Sequence, residues 1–320
     1  MRLTVKAATD VGLKRPHNED SHGCWVPEWS GDLERRGALV VVADGMGGSR
    51  AGEVASRLAV ETVLRAYRDA DGADILTNLR GAVESANQIV HTESTTRAGL
   101  DGMGTTCTAA VIQEGLLYLA HVGDSRAYLI RQGRIQQLTD DHSLVAQLIR
   151  ERQLTAEQAR SDPRRNVVTR SVGIAASVEV DTPPAPLALA EGDTLMLCTD
   201  GLHGLVRDQE LLELASNPYL DRACHDLIER AKQRGGPDNI TVILGRLGPS
   251  DPPEAAAGAG AGRVARGDTS RRTLLLLAVA LLGLLLALVA IGWLMLRLGQ
   301  DPRKLGRGPA PSVPVQENKA

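Results

Sequence analysis

The stretch Ala38-Leu-Val-Val-Val-Ala-Asp44-Gly-Met-Gly-Gly48 decides the fold of this chain, because an unbroken apolar run leads directly into an aspartate and a glycine-rich turn. Short β-branched runs that end at Gly or Asp turns are typical of strands. The pattern therefore predicts a strand at residues 38–43 that delivers the Asp44 carboxylate to the edge of the core. Asp200 follows the apolar run Thr194-Leu-Met-Leu-Cys-Thr in the same way.

Further strands are predicted by β-branched runs elsewhere in the chain, at residues 105–112, 116–122, 126–130, 194–198 and 240–244. The first three follow one another too closely for crossover helices, so these strands are expected to pair antiparallel. Apolar residues at helical spacing predict amphipathic helices around residues 54–63 and 220–231. The chain is therefore expected to be α+β rather than doubly wound.

The four cysteines are widely spaced and form no Cys-x-x-Cys pair: Cys24, Cys107, Cys198 and Cys224. This spacing argues against a zinc knuckle and against a disulfide framework, and it favours a reducing compartment. A chain of 320 residues can form one large α/β unit with appendages. One such globular domain is expected at residues 1–247.

The composition changes after the globular domain. Pro, Gly, Ala and charged residues dominate residues 248–272, which predicts a flexible linker. Residues 274–296 then contain 23 residues without a charge, enough at about 1.5 Å per residue to cross a hydrocarbon core of roughly 30 Å. We therefore expect a transmembrane helix at residues 273–296, in contact with the membrane through 274–296, and a short disordered tail at 297–320.

Charge bears on orientation and on partners. Basic residues are equally frequent on the two sides of the apolar segment, and no secretory signal opens the chain, so we expect a single-pass membrane protein with its N-terminal domain in the cytoplasm. Residues 263–320 hold nine basic and three acidic side chains, so the net charge of −3 leaves −9 on residues 1–262. An acidic body without a basic stripe argues against nucleic acid as a partner.

Acidic residues stand at strand ends or tight turns in four places, at Glu19-Asp20, Asp44, Asp200 and Asp238. Carboxylates gathered without balancing bases repel one another, so they acquire raised pKa values or bind cations. A set of oxygen donors without His or Cys suits Mg²⁺ or Mn²⁺ better than Zn²⁺. A single Asp-Gly would be an ordinary turn, and only the whole set predicts a metal site.

Seven motifs follow one another along the chain: Thr9-Asp10-x-Gly12-x-x-Arg15-x-x-Asn18-Glu19-Asp20, Val42-Ala43-Asp44-Gly45-Met46-Gly47-Gly48, Gly104-Thr105-Thr106, Val122-Gly123-Asp124-Ser125-Arg126, Asp141-His142-Ser143, Thr199-Asp200-Gly201-Leu202 and Pro237-Asp238-Asn239-Ile240-Thr241. Their order closely resembles the bacterial branch of the metal-dependent protein phosphatases of type 2C, over roughly residues 4–247. The resemblance implies a four-layer α-β-β-α sandwich of two mainly antiparallel sheets flanked by helices. It also implies a Ser/Thr protein phosphatase that acts on phosphoserine and phosphothreonine proteins, the substrates of a bacterial Ser/Thr kinase.

The resemblance also assigns roles at the catalytic centre. Asp44 bridges two metal ions, the carbonyl of Gly45 helps to hold one of them, and Asp200 and Asp238 hold the other. Arg15 binds the substrate phosphate, and its planar fork suits two phosphoryl oxygens where Lys would present one point charge. These roles imply direct, in-line attack by a metal-bridging water or hydroxide, without a phosphoenzyme.

Three more acidic residues are implied to act at the metals. Glu19 and Asp20 bind mostly through metal-bound water, and Asp124 shares a third ion with Asp200. The implied cofactors are therefore Mn²⁺ or Mg²⁺, two ions with a third beside them.

The acid that protonates the leaving alkoxide is left open by the sequence. Animal members of the family place a histidine two residues after the bridging aspartate, and Met46 stands there in this chain. Metal-bound water, His142 and His203 are the alternatives.

Other functions are disfavoured by particular residues. Cys224 and Arg230 have the Cys-x5-Arg spacing of cysteine-dependent phosphatases, but they lie on a helical pattern without glycine, so Cys224 is expected in the core. The glycine-rich stretch after Asp44 lacks the Gly-Lys-Ser/Thr of a P-loop. The negative charge disfavours a two-metal nuclease. The alternative that remains is a catalytically weak, membrane-tethered phosphoprotein-binding regulator on the same fold.

Overall fold

The structure is a computed structural model that describes residues 3–27, 30–47, 51–70 and 74–248. The predicted linker beyond Gly248, the predicted transmembrane helix and the predicted tail lie outside the described residues. Across the described ranges, no helix is both long enough and apolar enough to cross a bilayer.

The described part of the chain contains eleven strands and eight helices. The strands are β1 (Leu3–Asp10), β2 (Asp20–Trp25), β3 (Ala38–Met46), β4 (Gly104–Thr105), β5 (Cys107–Gln113), β6 (Leu116–Val122), β7 (Arg126–Arg131), β8 (Arg134–Gln137), β9 (Leu187–Ala188), β10 (Thr194–Cys198) and β11 (Ile240–Leu247). The helices are α1 (Ser30–Arg36), α2 (Ala51–Asp69), α3 (Ile75–Thr96), α4 (Leu144–Arg150), α5 (Ala156–Ser161), α6 (Asp200–His203), α7 (Asp208–Ala215) and α8 (Leu220–Gln233).

The strands form two sheets. One has the order β1-β11-β10-β7-β8, and the other has the order β2-β3-β5-β6-β9, with β4 paired to β3. Every registered pair of strands is antiparallel. The prediction of antiparallel pairing is therefore confirmed.

The central strand β3 is buried on both faces, which explains its unbroken apolar sequence. Leu39 and Val41 pack in the cluster that contains residues of α2 and α3. Val40 and Val42 pack in a second cluster with residues of the other sheet, such as Leu197. Burying each such side chain contributes about 1.5–3 kcal/mol, so this strand adds several kcal/mol to the hydrophobic stabilisation of the fold.

The other sheet is covered on its outer face by helices. Met196 and Cys198 of β10 alternate with the inward-facing residues of that strand and pack against α8. One cluster packs the helices α2 and α3 on the sheet that contains β3, one lies between the two sheets, and one packs α7 and α8 on the sheet that contains β10. The predicted α+β arrangement of two antiparallel sheets flanked by helices is therefore present. Cys224 lies on the buried face of α8 and is 1% exposed, as expected for a core residue.

The predicted strand at 105–112 is wrong in one detail, because the chain interrupts it at Thr106. The Thr106 N–H donates to the Asp44 carbonyl at 2.9 Å, and the Thr106 hydroxyl accepts from the Asp44 N–H at 2.8 Å. Thr106 is therefore used to hold Asp44, and the run divides into β4 and β5.

Candidate metal centre

The predicted site residues come together at one end of the sandwich, where strands of both sheets end. A cleft of about 290 Å³ is lined by Arg15, Glu19, Asp44, Gly45, Met46, Gly47, Asp124, Asn166, Val168, Asp200 and Asp238. Every residue predicted at the site lines this cleft except Asp20, which is buried behind it. Residues separated by more than 200 positions in sequence thus share one small, acidic space.

Asp44 is held through its backbone. The Thr105 hydroxyl donates to the Asp44 carbonyl at 2.8 Å, in addition to the two bonds from Thr106. These bonds fix the backbone of Asp44, and the residue lines the cleft.

Gly45 follows Asp44 at a point where two backbone segments nearly touch. A β-carbon on Gly45 would lie 2.0 Å from the Gly52 carbonyl oxygen at the start of α2, and the Gly45 N–H donates to the Glu19 carbonyl at 3.1 Å. Only glycine fits this approach, and Gly45 lines the cleft together with the carboxylates.

Asp20 is buried and only half satisfied. Its Oδ2 accepts hydrogen bonds from the hydroxyls of Thr199 at 2.8 Å and Thr241 at 2.7 Å. Its Oδ1 has no hydrogen-bond partner among the described residues, and the same is true of Oδ1 of Asp200. A buried polar atom without a partner costs about 1–3 kcal/mol, so both oxygens favour a cation nearby.

The carboxylates raise one another's pKa. Burial is the main reason that the pKa of Asp20 rises to about 7. The hydrogen bonds from Thr241 and Thr199 lower this pKa, and the charges of Asp200 and Asp238 raise it. Burial and the neighbouring carboxylates raise the pKa of Asp44 well above its ordinary value, and they also raise that of Asp200. Asp44 and Asp200 keep part of their surface in the cleft, yet they lie deep enough for burial to be the main cause.

Arg15 supplies a positive charge at the cleft. Its Nη2 donates to Oδ2 of Asp238 at 2.8 Å, and its Nη1 lies 3.7 Å from Oε2 of Glu19. The guanidinium is partly exposed, so its fork is accessible to a ligand in the cleft.

Asn239 holds the loop that carries Arg15, a role that sequence reasoning missed. Its side-chain nitrogen donates to the carbonyls of Val11 and His17, both at 2.9 Å, and its oxygen accepts from the Glu19 N–H at 2.8 Å. Asn239 is buried, so these three bonds fix the loop between β1 and β2. The residue stood in a quoted motif, but its partners are more than 200 positions away.

Asp124 lies in the short loop from β6 to β7, where the chain passes from one sheet to the other. Burial, and then the charge of Asp200, raise the pKa of Asp124 to about 8. Asp124 and Asp200 line the same cleft.

The two histidines proposed as alternative acids make structural contacts. Nε2 of His203 donates to the Asp124 carbonyl at 2.9 Å, and burial lowers the pKa of His203 to about 3. Nδ1 of His142 accepts from the Gly123 N–H at 3.0 Å. Neither histidine is among the residues that line the cleft, so neither is placed to protonate a leaving group there.

Asn166 and Val168 also line the cleft, and the sequence analysis did not identify them. They lie in an irregular segment between α5 and β9. No motif marks this segment, since its position depends on backbone hydrogen bonds to residues 142 and 144.

The donor set fits hard divalent cations. In the described part of the chain, no three acidic, histidine or cysteine side chains surround one point at ligand distance. The case for metal therefore rests on the two orphaned oxygens, the raised pKa values and the all-oxygen donors. Mg²⁺ usually keeps several waters and uses only one or two carboxylates, so such a site does not need a closed cage of side chains.

Comparison with known proteins identifies the family. A model of the family described as Protein phosphatase 2C matches residues 16–244. The chain is 39% identical over 241 residues to the serine/threonine phosphatase stp of Listeria monocytogenes, which covers 74% of this chain and 92% of that protein.

Solved structures agree with this comparison. The crystal structure of the Mycobacterium tuberculosis serine/threonine phosphatase PstP/Ppp matches with a TM-score of 0.69 and 38% identity, over 77% of this chain and 99% of that chain. The catalytic domain of PstP in complex with two manganese ions matches with a TM-score of 0.66 and 35% identity, over 77% and 99% of the two chains. Manganese, one of the two predicted cofactors, is therefore bound by a relative with the same fold. The predicted family is confirmed, and this chain belongs to the protein phosphatase 2C family.

Proposed function

We propose that this chain hydrolyses phosphoserine and phosphothreonine on proteins with the help of Mn²⁺ or Mg²⁺. The observation that carries the proposal is the cleft itself, where one exposed guanidinium faces a group of carboxylates with raised pKa values and two orphaned oxygens. Its relatives named above are Ser/Thr phosphatases, which supports the same activity here.

The bound cations would lower the pKa of an attacking water and offset the charge of the phosphoryl oxygens. Asp44 would hold two of them, and Asp200, Asp238 and the Gly45 carbonyl would complete the protein's ligands, which is supported by the fact that all four residues line the cleft. Glu19 lines the same cleft.

Arg15 binds and orients the phosphoryl group. Its side chain lies beside Asp238 and Glu19, lines the cleft and is partly exposed, so a phosphate that enters the cleft meets the guanidinium and the proposed metal ligands together. Two parallel N–H donors match two phosphoryl oxygens, and such charge-assisted pairs are about twice as strong as neutral hydrogen bonds.

A third cation is proposed between Asp124 and Asp200. The support is that both carboxylates line the same cleft and that, after burial, the charge of Asp200 raises the pKa of Asp124. Asp20 is set deeper, and its free Oδ1 would act on ions through water.

Membrane attachment is a separate part of the proposal, because residues 273–296 lie outside the described residues. It is supported by the 23 uncharged residues at 274–296. A cytoplasmic catalytic domain, tied to the membrane through a linker, would act on the substrates of a bacterial Ser/Thr kinase.

The test is phosphate release from a phosphothreonine peptide, measured with Mn²⁺ and with excess EDTA. An enzyme releases phosphate over many turnovers with Mn²⁺ and none with EDTA. The rival, a weakly catalytic phosphoprotein-binding regulator, would bind the peptide without turnover. Binding without turnover would therefore replace the proposal by its rival.

A further inference from the structure

Each residue of the loop at 123–125 makes a contact that fixes the conformation of the loop. Gly123 has a φ of +110°, and a β-carbon there would lie 2.6 Å from the side chain of Thr106. The Ser125 hydroxyl lies 2.7 Å from the Thr106 hydroxyl, and His203 binds the Asp124 carbonyl. The loop thus has one defined conformation, and the direction of the Asp124 carboxylate depends on the peptide before it.

His142 fixes that preceding peptide by two reciprocal hydrogen bonds. The Gly123 N–H donates to Nδ1 of His142 at 3.0 Å, and the His142 N–H donates to the Gly123 carbonyl at 2.8 Å. A backbone N–H can only donate, so Nδ1 carries no proton and the proton is on Nε2. His142 is 5% exposed, which protects both bonds from water.

Asp181 fixes the tautomer of His142 from the other side. Nε2 of the ring donates to Oδ2 of Asp181 at 3.0 Å, and Arg170 pairs with the other oxygen of the same carboxylate. Asp181 is partly exposed, so a chain of hydrogen bonds connects the protein surface, through His142, to the Asp124 loop. Such a partner for the second ring nitrogen sets both the orientation of an imidazole and which nitrogen can accept.

The backbone beside His142 also holds the second side of the cleft. The Thr169 N–H donates to the His142 carbonyl at 2.7 Å, and the Leu144 N–H donates to the Val167 carbonyl at 2.8 Å. These bonds flank Asn166 and Val168, which line the cleft. His142 therefore contacts both the Asp124 loop and the segment that carries Asn166 and Val168.

We propose that His142, locked by Asp181, is a positioning residue that orients the Asp124 carboxylate toward Asp200 and so sets the affinity of the third cation. The inference rests on the proposed function, because it assumes that Asp124 and Asp200 share an ion. A buried histidine with satisfied nitrogens could instead serve only the stability of the fold, and the two readings differ in what they predict for isosteric variants.

Substitution of His142 by asparagine and by glutamine tests the two ring nitrogens one at a time. In His142→Asn, the amide oxygen can take the place of Nδ1 and accept from Gly123, while the bond to Asp181 is lost. In His142→Gln, the amide nitrogen can reach Asp181, while the acceptor for Gly123 is lost. Both variants lose the ring, so a purely structural role predicts similar effects from both.

The experiment titrates the full chain, in detergent and stripped of metal, with Mn²⁺ by calorimetry. We expect His142→Gln to weaken the lowest-affinity ion by about 10- to 100-fold, as for other residues that orient a ligand, while the tighter ions stay bound. We expect His142→Asn to stay within about threefold of wild type. Tyr67→Phe is the control, because it removes a buried hydrogen bond to the Arg36 carbonyl on a different part of the molecule.

Two further variants make every outcome decisive. Asp124→Ala should remove the lowest-affinity ion. If it does, two results overturn the inference while the proposed site stands. Either His142→Gln does not weaken the binding of that ion, or His142→Asn and His142→Gln weaken it equally. If Asp124→Ala leaves the stoichiometry unchanged, the third-ion proposal fails and the inference fails with it. Should substitution of His142 unfold the protein, Asp181→Ala keeps the ring but leaves it beside Arg170, whose Nη1 lies 3.3 Å from Nε2 of His142. Arginine can only donate, so the ring proton moves to Nδ1 and the acceptor for Gly123 is lost, as in His142→Gln. Asp181→Ala must therefore weaken the ion about as much as His142→Gln, and an unchanged affinity overturns the inference.

Discussion

Asp20 and Asp44 lie directly opposite each other on the antiparallel strands β2 and β3. Side chains at directly opposed positions lie on the same face of a sheet, and like charges there are destabilising. The register that places these two carboxylates is set by the burial of β3, so the fold itself creates a site of repulsion. A divalent cation relieves that repulsion, which links the stability of the fold to metal and to pH.

The metal-free protein should lose stability as pH rises. The folded pKa values of Asp20 and Asp124, about 7 and about 8, lie above the ordinary value of about 3.9 for Asp, so the folded state binds more protons than the unfolded state between these values. The stabilisation by these protons is therefore complete below about pH 4 and is lost as pH rises through 7 to 8.

Mn²⁺ should replace those protons, so its stabilising effect should be larger at pH 8 than at pH 5.5. At one hundred times the dissociation constant, a single site adds about 2.7 kcal/mol, which raises Tm by several degrees. Thermal unfolding of the full chain with EDTA and with Mn²⁺ at both pH values measures this. An equal shift of Tm at the two pH values would contradict the carboxylate origin of the effect.

Gly45→Ala should abolish activity and the stabilisation by Mn²⁺. The new β-carbon would overlap the Gly52 carbonyl, so either β3 or the start of α2 must move, and a displacement near 1 Å can cost about 100-fold in rate. Gly81→Ala is the matched control, because Gly81 lies within α3 and nothing lies within 4 Å of the added carbon. The stability of this variant should rise by about 0.5–1 kcal/mol. Activity of Gly45→Ala equal to that of Gly81→Ala would refute the tight approach at Gly45.

Arg15→Lys should lower kcat/KM for a phosphothreonine peptide by about 10- to 100-fold. Lysine keeps the charge but cannot give two parallel N–H donors, and a hydrogen bond to a charged group contributes about 1.5–3 kcal/mol. Arg35→Lys, which alters an exposed pair with Asp32, is the control and should leave the kinetics unchanged. If the two variants have the same kcat/KM, Arg15 does not bind the phosphate.

Removal of residues 273–320 should release an active enzyme into the soluble fraction. The proposed anchor and its linker lie after Leu247, the last residue of β11, and the cleft residues found in the described part of the chain all precede Leu247. Fractionation of cells that express either form measures this, with phosphatase assays on both fractions. A truncated protein that still sediments with membranes would disprove the anchor.

The sequence predicted most of what depends on local pattern. The apolar run before Asp44 and the run before Asp200 predicted two buried strands, and the structure has both. Their ends differ from the prediction, because β3 continues past Asp44 to Met46 and Asp200 is the first residue of α6. The helix α3 was not predicted, although Leu79, Val83 and Val90 recur at helical spacing along it. Many polar residues separate these positions, so the apolar stripe is clear only when the packing against α2 is known.

Residues that act through distant partners could not be predicted. Asn239 holds a loop more than 200 positions away, and His142 contacts a peptide that only the sheet topology brings near. Both residues lie in quoted motifs, but the motif spacing does not say whether a side chain touches a ligand or supports a residue that does. Such assignments require the fold.

The most direct test of the account is phosphate release by Asp44→Asn at saturating Mn²⁺. The amide keeps the shape of the side chain but gives up the charge that holds the cations, so we expect a folded protein whose turnover on a phosphothreonine peptide falls at least 1000-fold, a loss of about 4 kcal/mol of transition-state stabilisation. Asp221→Asn, an exposed aspartate on α8, should keep wild-type turnover. If Asp44→Asn also keeps turnover near that of wild type, Asp44 is not the ligand at the centre of catalysis and the proposed mechanism is wrong.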